Sequence, residues 1–85
     1  MKVLIVDDEA HVIRAVKLLV PWQELGITEI HEALTPQEAI RIMEAEQPEI
    51  LITDIVMQDL SGIALMNYIT GTMQHTKVIV ISGYN

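Results

Sequence analysis

The stretch Ile50-Leu51-Ile52-Thr53 runs straight into the carboxylate of Asp54. A short run of apolar and β-branched residues without alternation fits a strand buried on both faces, as in a parallel sheet. An unpaired carboxylate is costly to desolvate, so packing alone does not place one at the end of such a strand. Asp54 is therefore expected at a strand's carboxyl end, the edge at which open α/β sheets bind ligands. Lys2-Val3-Leu4-Ile5-Val6 has the same character and ends on Asp7-Asp8-Glu9. Two such strands bring Asp7, Asp8 and Asp54 to one place, where mutual repulsion calls for a cation. Oxygen donors and the absence of Cys favour a hard divalent ion, Mg²⁺ before Ca²⁺.

The segments between the strand patterns read as helices. Val12, Ile13, Val16, Leu19 and Val20 recur at helical spacing, predicting a helix from about Glu9 to Val20 that Pro21 stops. Arg14 and Lys17 fall on its wetter side. Trp22, in the connector to Gly26, is expected to plug the end of the core. Residues 28–33 alternate, Ile30 and Glu32 against His31 and Ala33, which suggests a more exposed edge strand. Thr35-Pro36 reads as an N-cap followed by proline at the first helical position. The helix over 37–46 turns Ala39, Ile40, Ile42 and Met43 inward, and Gln47-Pro48 ends it. A third helix is expected from Gly62, with Gly71 as its stop. Lys77-Val78-Ile79-Val80-Ile81 is a fourth strand, leading to Ser82-Gly83.

This βαβαβαβ order implies a parallel sheet with helices on both faces. Right-handed crossovers and the positions of the acids favour strand order 2-1-3-4, with Asp7, Asp8 and Asp54 at the switch point. The first helix covers one face, and the second and third cover the other. The chain is read as one domain, residues 1–85.

Of the 85 residues, 51% are hydrophobic, which excludes a disordered chain. The net charge of −7 argues against direct nucleic-acid binding, since no basic face opposes phosphates. No stretch approaches the ~20 apolar residues of a membrane span. The N-terminus opens on a strand pattern, and the lack of Cys fits a cytoplasmic location. His11, His31 and His75 are scattered without ligand spacing, so solvated or structural roles are expected for them. The Met residues read as gap-fillers in the core. No Gly-x-Gly-x-x-Gly or Gly-Lys-Ser/Thr loop supports a nucleotide enzyme. A haloacid-dehalogenase-type phosphatase would need a second Asp two residues after the first, and position 56 is Val.

Three motifs, Val6-Asp7-Asp8-Glu9, Thr53-Asp54-Ile55-Val56-Met57 and Val80-Ile81-Ser82-Gly83, resemble those of the receiver domains of two-component response regulators. Pro21-Trp22-Gln23-Glu24-Leu25-Gly26 and Ser82-Gly83-Tyr84 resemble the receivers attached to AraC-type DNA-binding domains. The resemblance implies a flavodoxin-like fold truncated after the fourth strand, without the fourth helix, fifth strand and fifth helix. It makes Asp54 the phosphoacceptor for a sensor histidine kinase, so the chain is expected to be a signalling module and not an enzyme. Asp8, Asp54 and the Val56 backbone carbonyl would hold Mg²⁺ directly, with Asp7 acting through water. Ser82 and the Gly83 N–H would bind phosphoryl oxygens. The DNA-binding output domain would follow the receiver and is not in this sequence.

Gln58 stands where the family usually has proline, and the conserved Lys of the fifth strand is absent. Slower phosphorylation than in a complete receiver is expected. Val56 and Tyr84, neither suited to position water, imply a long-lived phosphoryl form. Helix capping explains Asp8 or Glu9 alone, but not three acids at this spacing. A second reading is a signalling-inert fragment that self-associates, as a homo-oligomer, through the bare edge of its fourth strand.

Overall fold

In a computed structural model of the protein, residues 1–54, Asn67, Gly71 and 76–81 are described, with only the backbone of Asp54, Val80 and Ile81. The described elements are β1 (Lys2–Val6), α1 (Ala10–Leu19), β2 (Glu29–Ala33), α2 (Pro36–Glu46), β3 (Ile50–Asp54) and β4 (Lys77–Ile81). All strand pairs are parallel, in the order β2-β1-β3-β4. This is the 2-1-3-4 order read from the sequence.

β1 lies between β2 and β3 and has no wet side: Val3, Leu4, Ile5 and Val6 are each at most 1% exposed. Alternate residues of a strand face opposite ways, so β1 serves two cores. Val3 and Ile5 join Ile13, Trp22, Ile27 and Ile52 on the α1 face. Leu4 and Val6 join Ala33, Ala39, Met43 and Leu51 on the α2 face. The two helices thus cover opposite faces of the sheet. Trp22 closes one core as expected, and its indole N–H donates to the Lys17 carbonyl at 3.0 Å.

α1 departs from expectation at Leu19, which is 81% exposed beside Leu18. Its buried stripe runs through Ile13, Val16 and Val20. At about 100° per residue, Leu19 is turned roughly 120° from Ile13 and misses the sheet. Met1 is also exposed, so the core role expected of the methionines holds for Met43 and not for Met1.

α2 is delimited as its sequence predicts. Thr35 Oγ1 accepts the Glu38 N–H at 3.1 Å, and Glu38 Oε1 accepts the Leu34 N–H at 2.9 Å. Pro36 occupies the first turn, and Gln47 ends the helix in the left-handed region at φ 48°. Thr35→Ala is expected to cost about 1 kcal/mol in urea unfolding, the usual loss for an N-cap hydroxyl.

Asn67 and Gly71 both have helical backbone, and Gly71 has no positive φ. Gly71 is thus not itself a left-handed terminator, which would need φ above zero, and the point where the helix stops lies outside the described residues. The rest of that third helix lies outside the described residues.

Candidate functional site at the carboxyl edge of the sheet

β1 and β3 pair in register, Val6 opposite Thr53. The next residues, Asp7 and Asp54, therefore leave neighbouring strands at the same edge. The chain goes from β1 to β2 on one side and from β3 to β4 on the other, which makes the gap between β1 and β3 the switch point of the sheet. β4 adds its carboxyl end on the far side of β3, with Ile81 opposite Asp54.

Asp7 is 5% exposed, a degree of burial at which a carboxylate is normally paired. Its N–H extends the ladder to the Ala33 carbonyl at 3.1 Å. Its Oδ1 accepts the Glu9 N–H at 2.9 Å, an Asx-type turn that turns the chain from β1 into α1. Helix capping, the plain structural role, would have suited Asp8 or Glu9 alone. Glu9 is the N-cap residue but makes no side-chain cap bond, and Asp7 organises the turn. Asp8 next to it is exposed. The Asp54 carboxylate, Val56, Ser82 and Gly83 lie outside the described residues, as do Gln58, Tyr84 and His75.

The donors placed at this edge are carboxylate oxygens, the chemistry that suits Mg²⁺. One is buried and anchored by a backbone N–H and one is exposed to water, which fits a hard ion that keeps part of its hydration.

Sequence reasoning missed a second set of polar residues. His31 meets Glu29 and Glu46 at the amino-terminal part of the sheet, where Lys2 also lies. The Glu29-x-His31 spacing on one strand face was a usable signal for half of this set; Glu46 comes from α2, and nothing local in the sequence points to it. The Lys2 ammonium is held charged to higher pH than usual, chiefly by its hydrogen bond to Glu46. The same bond holds the Glu46 carboxyl below the ordinary range. Glu49 is also lowered, first through the Lys2 backbone N–H that its Oε1 accepts at 2.7 Å.

The family model described as the response regulator receiver domain matches residues 3–85. The chain belongs to this family. Among curated relatives, the receiver is 36% identical over 84 residues to an uncharacterized response regulatory protein of Staphylococcus epidermidis, covering 99% of this chain and 33% of the relative. It is 34% identical to the transcriptional regulatory protein HptR of Staphylococcus aureus, over 99% of this chain and 32% of that protein. The chain thus spans about a third of the length of the curated relatives it matches. Among solved structures, it is similar to a two component transcriptional regulator AraC from Clostridium phytofermentans, with TM-score 0.90 and 32% identity. That match covers 100% of this chain and 66% of the other. The receiver domain of AraT from Geobacillus stearothermophilus gives TM-score 0.87 and 31% identity over 98% of this chain and 64% of that one. The receiver fold and the likeness to receivers of AraC-type regulators are thereby borne out. Among the described residues, no helix is long and apolar enough to cross a membrane.

Proposed function

We propose that this receiver accepts a phosphoryl group on Asp54 from the phosphohistidine of a sensor histidine kinase. The observation that carries the reading is the register of β1 and β3, which sends Asp7, Asp8 and Asp54 off neighbouring strands at one edge. A carboxylate oxygen of Asp54 attacks the phosphorus, the P–N bond of the phosphohistidine breaks, and its electron pair returns to the imidazole. Asp8, Asp54 and the Val56 carbonyl would hold Mg²⁺, with Asp7 assisting. The ion, when bound, supplies the charge neutralisation that phosphoryl transfer needs most. Asp7 fixes the β1–α1 turn, and with it the position of Asp8. Ser82 and the Gly83 N–H bind phosphoryl oxygens.

The relatives' descriptions as response and transcriptional regulators support a two-component role in transcription; a DNA-binding output domain on the same protein and a cytoplasmic location go with that reading. The test is intact mass after incubation with Mg²⁺ and acetyl phosphate. A single phosphoryl adduct is expected, lost on chelation of the Mg²⁺ and absent in Asp54→Asn. No adduct, or an equal adduct in Asp54→Asn, would overturn the reading.

A further inference from the structure

Glu29 and His31 stand two apart on the edge strand β2 and so share a face. Glu46, the last residue of α2, meets them there. His31 Nε2 lies 2.5 Å from Glu29 Oε2 and 3.8 Å from Glu46 Oε1. One ligand atom from each of the three lies within 4.8 Å of the others. Donors held about 2 Å from a tetrahedral ion stand a little over 3 Å apart, and these two separations bracket that spacing. An imidazole nitrogen with two carboxylate oxygens is a donor set that zinc-class ions accept.

A cation already sits among these groups. Lys2 Nζ is 3.0 Å from Glu46 Oε1 and 3.9 Å from Glu29 Oε2. One ammonium leaves the two carboxylates short of neutrality; a divalent ion balances both. The side chains of Glu29, Glu46 and His31 are 46%, 36% and 25% exposed, which gives an ion access and leaves room for a water ligand.

We propose that Glu29, His31 and Glu46 form a binding site for a divalent transition-metal ion of the zinc class, which displaces the Lys2 ammonium from the two carboxylates. The ion ties the end of α2 to the edge strand. Lys2 is its built-in competitor, tethered at the start of β1. The site lies apart from the acids at the carboxyl edge and takes a borderline-soft ion, where they suit a hard one.

The test is calorimetric titration of the 85-residue chain with zinc chloride, in the presence of excess Mg²⁺. Saturable binding is expected, weakened in His31→Gln by more than about tenfold, the scale on which even groups that touch only a bound metal's ligands act. Lys2→Met should bind more tightly than wild type, and Asp8→Asn should bind equally well. On the unmodified chain, the His31 ring resonances should shift as zinc is added, a readout that does not depend on any variant folding. The site would be overturned by absent or unsaturable zinc binding, by equal affinity in His31→Gln, or by His31 ring signals that do not move. Lys2→Met affinity no higher than wild type would overturn the displacement.

Discussion

Asp8→Asn is expected to slow Mg²⁺-dependent phosphorylation of Asp54 by about a hundredfold or more while leaving the fold intact. The magnitude is that of removing one preorganised electrostatic partner from a charged transition state. Asparagine keeps the size and one carbonyl oxygen but loses the charge that holds a divalent ion. The fold should survive because Asp8 is exposed, and the turn beside it is secured through Asp7 Oδ1 and the Glu9 N–H. The check is the rate of adduct growth by intact mass across a Mg²⁺ series, with circular dichroism of both proteins. An unchanged rate at low Mg²⁺ would remove Asp8 from the metal site. Asp7→Ala would be a poorer probe, since it also deletes the bond that turns β1 into α1.

Leu51→Ala should cost about 2–5 kcal/mol, the range for deleting a fully buried leucine side chain. Leu51, the second residue of β3, is 0% exposed and packs in the cluster with Leu4, Ala39 and Met43. A domain of this size is stable by only about 4–13 kcal/mol, so the loss is a large share of the total. Urea unfolding followed by circular dichroism reads it as a lower midpoint at nearly constant slope. Leu18→Ala is the matched control: Leu18 is 85% exposed, and the change there should fall within about 0.5 kcal/mol of zero. Equal losses at the two positions would mean that burial in this structure does not set the cost.

Much of the fold was legible because each strand carries its own signal. Val3 to Val6 and Ile50 to Ile52 are unbroken apolar runs, and they occupy the centre of the sheet. The alternation from Ile30 to Ala33 marked β2 as an edge, since only a strand with a wet side can tolerate Glu32. Thr35 and Pro36 announced α2 through local chemistry alone. Leu19 was misjudged because a helix flank and a helix face differ by one step of rotation, which tertiary packing decides. The organising role of Asp7 was hidden because three consecutive acids offer the same capping chemistry, and only backbone geometry selects among them. The meeting of His31 with Glu46 depends on where α2 ends over the sheet, and it leaves no trace in spacing.

β1 has a consequence for how this chain can vary. A strand with helices over both faces and strands along both edges has no side on which a side chain can change freely. Val3, Leu4, Ile5 and Val6 are restricted to residues of nearly equal volume, and a change at any one alters the wall that both cores share. The permissive positions are those that look outward, such as Glu32 on β2 and Leu18 on α1. Sequence drift among related receivers should therefore gather on the outer strand and the helix backs, with the central strand the slowest part of the domain to diverge.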